Sequence, residues 1–322
     1  MVERWYRGDL HAHTVRSGGG ELTPEQLVAE ARAAGLDFLA VTEHNQPFDA
    51  GSWRDTGDLL IVPGQEVVTR TGHWLALGDA ADRVGPFGAE SVDRALGEVR
   101  AAGGLCVAAH PHAPYPGGEL MFPLESFDAV EVWNGPWGAE FPWSTDNGAA
   151  LAEWGRRLGT AVRAGAGRTG AGHRDTGRWQ PAVGSSDAHL AGQLGTPQLV
   201  VRAPERSAAA ILAAVRAGRS WIAESATVEL EFTATAADRT ALAGDRLATA
   251  GRPVEVAVRV SGVADPLVRF HTVRGRAHTA PAGADGTVRW TTDARESAFV
   301  RVELRHPDGR VAALGNPILL AD

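Results

Sequence analysis

The sequence predicts an α/β protein: a parallel, barrel-type sheet followed by a smaller β-rich domain. Three observations carry that expectation. From residue 8 to about 223, short apolar runs alternate with helical segments, the pattern of strands lying side by side in parallel. Imidazoles and carboxylates stand where most of those runs end: His11, His13, His44, Glu66, His73, His110, Asp187 and His189. Side chains at the C-terminal ends of parallel strands converge on one face of such a barrel, where active sites are built. Beyond about Glu224 the runs are short and separated by Gly, Pro and Asp. The expected division is therefore 1–223 for the barrel and 224–322 for the β-rich domain.

The clearest helix is expected over Pro24–Ala34. Thr23 caps it, Pro24 suits its first turn, Gln26 completes a capping box and Gly35 ends it. Leu27, Val28, Ala31 and Ala34 supply its apolar face. Strands are expected at Phe38–Thr42, Leu59–Val62, Trp74–Leu77, Leu105–Ala109, Ala129–Trp133 and Ala182–Ser185. Further helices are expected near Ser91–Ala101, Gly148–Leu158 and Ala208–Ala217, the last capped by Ser207 and closed by Gly218. Between Ala164 and Gly184 runs a Gly- and Arg-rich loop, read either as a mobile lid or as a plain insertion. Strands of a small β-sandwich follow at Val228–Thr233, Val254–Val260, Val268–Val273, Val288–Thr291 and Phe299–Arg305. Alternation in Val254-Glu-Val-Ala-Val-Arg-Val gives one of them a single buried face. His271, His278 and His306 fall in this region without grouped acidic partners and read as structural or surface residues.

Composition narrows the function. The 322 residues are 44% hydrophobic and 22% charged, ordinary for a globular enzyme. A net charge of -8 shows no basic footprint, so a small-molecule substrate is expected and nucleic acid is not. All 31 basic residues are arginine, which excludes a lysine nucleophile or Schiff base. Cys106 is the only cysteine and lies in an apolar run, so an intrachain disulfide and thiolate metal sites are excluded. No run approaches the ~18 apolar residues of a membrane span. The first residues lack the apolar region of a signal peptide, and a cytoplasmic location is expected. Oligomeric state is not legible.

The eight strand-end residues matter jointly. One His-x-His is weak, because alternate strand residues share a face with or without a metal. Eight His, Glu and Asp residues in one part of the chain read as a multinuclear site for Mn, Zn or Fe. The motifs Asp-Leu-His-Ala-His-Thr, Val-Thr-Glu-His-Asn, Pro-Gly-Gln-Glu, Ala-His-Pro and Gly-Ser-Ser-Asp-Ala-His, in that order over residues 8–223, resemble the PHP family. That family takes its name from the polymerase and histidinol phosphatase domain. The resemblance implies a distorted (β/α)7 barrel with two or three divalent metals. It implies His11, His13, Glu66 and Asp187 on the first metal, and Glu66 bridging to a second held by His73 and His110. His44 and His189 are then assigned to a third.

The chain departs from the pattern at Gly18, where the resemblance implies an acidic or imidazole ligand. Either water, Glu21 or Glu43 substitutes, or the site is dinuclear and His44 and His189 serve substrate and protons. Arg70-Thr-Gly-His-Trp-Leu-Ala-Leu-Gly, Glu131-Val-Trp-Asn-Gly and Ala214-Val-Arg-Ala-Gly-Arg-Ser-Trp-Ile resemble the branch that includes carbamate insecticide hydrolases.

The expected activity is hydrolysis by metal-activated water, foremost of a small phosphate ester. The catalytic candidates are Asp187 as proton acceptor and His189 or His44 as donor to the leaving group. Carbamate, ester or amide cleavage at the same site is the alternative. A non-haem iron oxygenase and a non-catalytic metal-binding module are further readings. For substrate contacts, Trp133, Asn134, Trp137 and Trp143 stand at or just after the end of one strand, and the tryptophans offer either an aromatic platform or ordinary loop packing. Arg70 is either a bidentate phosphate clamp or a solvated residue, and His112 a neighbour of the ligands or a surface residue.

Overall fold

The computed structural model describes residues 3–81, 92–138, 146–166 and 179–322. Contacts divide the chain into two units, Met1–Leu151 with Pro181–Ala217, and Ala152–Gln180 with Gly218–Asp322. The first holds β1 (Arg4–Asp9), α1 (Pro24–Ala33), β2 (Phe38–Val41), β3 (Leu60–Thr69), β4 (Gly72–Leu77), α2 (Val92–Ala101), β5 (Leu105–Ala108) and β6 (Ala129–Asn134). Helix α3 (Asn147–Ala166) passes into the second unit, and β7 (Ala182–Ser185), β8 (Gln198–Ala203) and α4 (Ala208–Arg216) belong to the first.

These strands lie in the order β8-β1-β2-β3-β4-β5-β6-β7. The pairs β1/β2, β2/β3, β5/β6 and β6/β7 are parallel. Strand β4 is antiparallel to both neighbours, and β8 runs antiparallel to β1. Beyond the strand ends, Ala12 and Ala188 form a parallel bridge, and the His13 amide donates to the Ala188 carbonyl at 2.9 Å. The continuations of β1 and β7 therefore meet. Strands β2, β5 and β7 are buried along their whole length, as strands covered on both faces must be.

Helix α1 forms as its caps require. Thr23 Oγ1 accepts from the Gln26 amide at 3.3 Å, Gln26 Oε1 accepts from the Thr23 amide at 2.8 Å, and Gly35 follows at φ 72°. Its Leu27, Val28 and Ala31 bury against Leu39 and Val41 of β2 and against Ala12 and Ala188. Burying Leu27 completely contributes roughly 2 kcal/mol.

Two elements, β3 and α3, outrun their expected bounds by more than five residues. Strand β3 extends to Thr69 because Gly64–Thr69 pairs with β4 across a hairpin at Arg70-Thr71. Helix α3 continues past Gly159, since an interior glycine costs a helix only ~1 kcal/mol, within reach of tertiary packing. The expected lid falls mostly on residues 167–178, outside the described residues, and the expected helix start at Ser91 is outside them too.

The second unit is sheet-rich. Its elements are β9 (Ser220–Ala223), β10 (Glu229–Ala236), β11 (Arg239–Leu242), β12 (Arg246–Ala248), β13 (Val254–Ser261), β14 (Leu267–Thr272), β15 (Gly275–Pro281), β16 (Thr287–Thr292), α5 (Ala294–Ser297), β17 (Phe299–Arg305), β18 (Val311–Gly315) and β19 (Ile318–Ala321). One sheet runs β11-β10-β13-β16, all antiparallel. In the other, β17 pairs with β14, β18 and β19; β14 also pairs with β15, β18 with β9 and β19 with β12. Val254, Val256, Val258 and Val260 of β13 are buried, and Phe270 of β14 meets Trp290 of β16 at 5.5 Å between ring centroids. Apolar inner faces thus join the two sheets. Among the described residues no helix is long and apolar enough to cross a membrane.

Candidate metal centre

All eight residues singled out in the sequence come together, and strand geometry explains how. Asp9, His11 and His13 alternate along the end and continuation of β1, so the two imidazoles share a side. The Asp9 carboxylate is fully buried and accepts the amides of His11 (3.2 Å), Ser186 (3.1 Å) and Gly195 (3.1 Å). It ties the continuations of β1 and β7 together. Burial pushes its carboxyl up to about 6 in spite of those hydrogen bonds. His44 extends β2 and bridges to Glu66 of β3. His73 of β4 lies opposite Val68, which puts it on the same face as Glu66, its diagonal neighbour. His110 follows β5 at φ 25° and Asp187 follows β7 at φ 51°, both in the left-handed region. Backbone strain of this kind collects where side chains are held for a task.

Glu66 is the hub. Its Oε2 lies 3.2 Å from His11 Nε2, 3.3 Å from His13 Nε2 and 3.0 Å from His44 Nε2. Its Oε1 lies 2.8 Å from His73 Nδ1 and 3.1 Å from His110 Nε2. Asp187 Oδ1 is 3.3 Å from His11 Nε2, 3.0 Å from His13 Nε2 and 3.6 Å from His189 Nδ1. Ligand atoms within 4.8 Å of one another form three groups: His11, His13, Glu66 and Asp187; Glu66, His73 and His110; and His13, His44 and His189.

The donor set fits divalent cations. His11 Nε2, His13 Nε2 and Asp187 Oδ1 are buried without a hydrogen-bond partner, a costly arrangement unless something else satisfies them. The outer nitrogens are anchored, His11 Nδ1 to Glu131 Oε1 at 3.2 Å and His13 Nδ1 to Ser17 Oγ at 3.1 Å. Anchoring one ring nitrogen aims the other at the metal position. Burial opposes charge on His11, yet Asp187, Glu66 and Glu131 hold its pKa well above the usual imidazole value. Burial likewise opposes charge on His13 and His110, and their carboxylate neighbours overcome it. Glu66 and Asp187 are held low, against burial, by His11 and the other imidazoles. His189 is lowered, chiefly by burial.

Around Gly18 the three sequence alternatives can be compared. The third group is made of imidazoles alone. Glu43 is buried and spends its carboxylate on the Thr14 and Ser17 hydroxyls, while Glu21 is exposed. Neither acid belongs to the group.

The substrate candidates separate. Trp133 is fully buried, with its indole N–H on the Gly135 carbonyl at 2.9 Å, so it stands behind any platform. Trp137 is half-buried and meets Trp133 edge-on at 5.1 Å. Trp143 lies outside the described residues. Asn134 donates through Nδ2 to Glu131 Oε2 at 3.0 Å and to Asp187 Oδ2 at 3.2 Å, so it faces the carboxylates. Arg70 is exposed in the β3–β4 hairpin, and His112 is half-buried, its carbonyl taking the Asp146 amide.

Sequence reasoning gave no role to Glu131, Asp9, Ser17 or Tyr115. Glu131 is fully buried and takes His11 Nδ1, the His110 amide (2.8 Å) and Asn134, so it orients two ligands at once. The period-2 spacing of Asp9, His11 and His13 was the available signal for Asp9. The Tyr115 ring lies 6.3 Å from that of His73 and 6.4 Å from that of His110, and nothing in the sequence pointed to it.

Residues 179–220 match the profile of the PHP-associated family, PHP_C. A two-domain protein from Bacteroides vulgatus, described as containing a predicted PHP-like metal-dependent phosphoesterase, shares the fold at TM-score 0.51 and 16% identity; the match covers 98% of this chain and 96% of that one. A proposed metal-dependent phosphoesterase from Bifidobacterium adolescentis matches at TM-score 0.37 and 19% identity, over 58% of this chain and 90% of that one. An amidohydrolase from Chromobacterium violaceum, with bound sulfate and no metal, matches at TM-score 0.35 and 17% identity, over 58% and 89%. No curated protein matches the chain. The PHP resemblance read from the sequence is thus met independently by the family profile, and nothing in these matches points to the carbamate-hydrolase branch.

Proposed function

We propose that this PHP-like chain is a metal-dependent hydrolase, and that its reaction is cleavage of a small phosphate ester. The observation that supports it best is the Glu66 hub, one carboxylate whose two oxygens reach five imidazoles, beside the unsatisfied atoms of His11, His13 and Asp187. We read the first unit's sheet as the distorted (β/α)7 barrel, with β1 to β7 as its staves and Ala12–Ala188 as its seam.

His11, His13, Glu66 and Asp187 hold one ion, and Glu66, His73 and His110 a second. Two or three such ions, Mn, Zn or Fe, supply water activation at neutral pH and charge neutralisation. The chain's own residues do the rest. Glu131 and Ser17 fix the tautomers of His11 and His13. Asn134 holds Asp187 Oδ2, leaving Oδ1 to face the imidazoles and accept a proton. His44 and His189, with side chains 29% and 24% exposed, are the imidazoles open enough to reach a leaving group.

A second reading, cleavage of a carbamate, ester or amide, is favoured by one observation. Trp137, half-buried against Trp133, suits an apolar substrate better than a phosphate. Turnover of a nitrophenyl phosphate against a naphthyl carbamate, with Mn-, Zn- and Fe-loaded protein, decides between them. Phosphate cleavage lost in His11→Ala supports the phosphoesterase, and faster carbamate turnover overturns it. No hydrolysis of either, with metal bound, removes the hydrolase reading.

A further inference from the structure

The second unit carries a cluster of charged residues that the proposed chemistry does not use. In the β14–β17 ladder Arg269 lies opposite Glu303, His271 opposite Arg301 and Leu267 opposite Arg305, so all four charged residues and the histidine share one face. Glu303 is saturated. Its Oε1 takes Arg301 Nη1 at 2.9 Å and lies 3.1 Å from His271 Nε2, and its Oε2 takes Arg305 at 2.9 and 2.7 Å. Arg301 is buried and stacks 5.1 Å from the Trp154 ring of α3, and Glu303 is also buried.

Arg269 is left out of this arrangement. It is half-buried, its Nε is buried without a hydrogen-bond partner, and it pairs with no acidic group among the described residues. In the neighbouring ladder it lies opposite Thr279, while His271 lies opposite the exposed Arg276, which also has no ion pair among the described residues. Burial and the charges of Arg305 and Arg276 work against the charged form of Arg269, and Glu303 only partly offsets them. The register thus sets an unpaired guanidinium opposite a hydroxyl and one ladder step from a further exposed guanidinium, the donor types that bind oxyanions.

We propose that this face of β14 and β15 binds a small doubly charged oxyanion of the sulfate or phosphate type, held by Arg269 and Arg276 with Thr279 beside them. The site belongs to the C-terminal unit and is independent of the metal chemistry.

The test is thermal unfolding of the full, metal-loaded chain in rising sodium sulfate, with ionic strength held constant by sodium chloride. Wild-type protein is expected to show a rise in Tm that follows ln(1 + c/Kd), where c is the sulfate concentration, curving over to a logarithmic climb above Kd, as ligand linkage requires. In Arg269→Gln the Kd fitted to that curve rises at least about tenfold while hydrolytic activity is unchanged. Thr279→Glu places a carboxylate opposite Arg269, and is expected to raise Tm without sulfate and to abolish the response. A linear rise common to all three proteins is the general effect of sulfate on burial and overturns the site. So does the absence of any rise in the wild type, or a logarithmic one with the same fitted Kd in Arg269→Gln.

Discussion

At the scale of single residues, Glu66 and Gly18 make the sharpest demands. Glu66 is the carboxylate common to two ligand groups, so Glu66→Gln is expected to halve the anionic donors of the first group and remove those of the second. Elemental analysis should find loss of at least one tightly held ion per chain, with the far-UV spectrum unchanged. Full metal content in that variant would remove Glu66 from its place. Gly18 presents the opposite case. A Cβ added there meets nothing within 4 Å, and a Cβ at neighbouring Gly19 would come 3.5 Å from His189 Cδ2. The turn therefore lies against the all-imidazole group, which shares its neighbouring carboxylates Glu66 and Asp187 with the first group and has none of its own. Gly18→Asp is expected to raise tightly bound metal from about two to about three per chain, because carboxylate is a ligand all three candidate metals accept. Unchanged stoichiometry would mean that the group is complete as it stands, or is no metal position.

At the scale of elements, the legible parts were those with local signals. Thr23, Pro24, Gln26 and Gly35 mark α1 to within a residue of its observed end, and Thr23→Ala is expected to cost about 1 kcal/mol in chemical denaturation. The run Ala182–Ser185 was bounded correctly because Pro181 precedes it and Ser186 ends the apolar stretch. Strands β8 and β18 were not legible as separate elements, since their runs are buried on both faces and lack alternation. At the site, residues at strand ends could be found from spacing, but their supports could not. Glu131 sits in the middle of β6, where sequence shows only an acid among apolar neighbours; its contacts to His11 and His110 exist only across the sheet. The tryptophans are a related case: the sequence puts Trp133 at the end of the expected strand and Trp137 in the loop after it, but the full burial of the first and the half-burial of the second come from packing. Asn134, expected to meet substrate, joins Glu131 to Asp187. Asn134→Ala is expected to lower turnover or metal affinity roughly 10- to 100-fold, as loss of a ligand's hydrogen-bond partner does. A rise in KM alone, with kcat and metal affinity intact, would return Asn134 to substrate binding.

At the scale of the whole molecule, the charge pattern of the centre links metal, protons and stability. Without a metal, His11, His13 and His110 have pKa values raised above 6.5 by their carboxylate neighbours, against burial. A group whose folded pKa is raised contributes stability that is complete below its unfolded value and is lost as pH climbs through the folded one. Glu66, whose pKa is depressed, contributes above its unfolded value of 4.5 and loses that contribution as pH falls. Asp9, pushed up to about 6 by burial, also favours low pH, so the metal-free protein is expected to lose stability as pH rises above about 6.5 and the imidazoles give up their contribution. Metal reverses the slope. The imidazoles must shed their protons to coordinate, so binding releases protons and affinity climbs with pH across the same range. Unfolding midpoints of chelator-treated and metal-loaded protein, measured from pH 6 to 8.5, should accordingly diverge: falling with pH for the first and rising for the second. Calorimetry in buffers of different ionisation enthalpy should count the protons expelled. Parallel slopes, with no buffer dependence, would mean that these imidazoles never meet a metal, whatever their arrangement around Glu66.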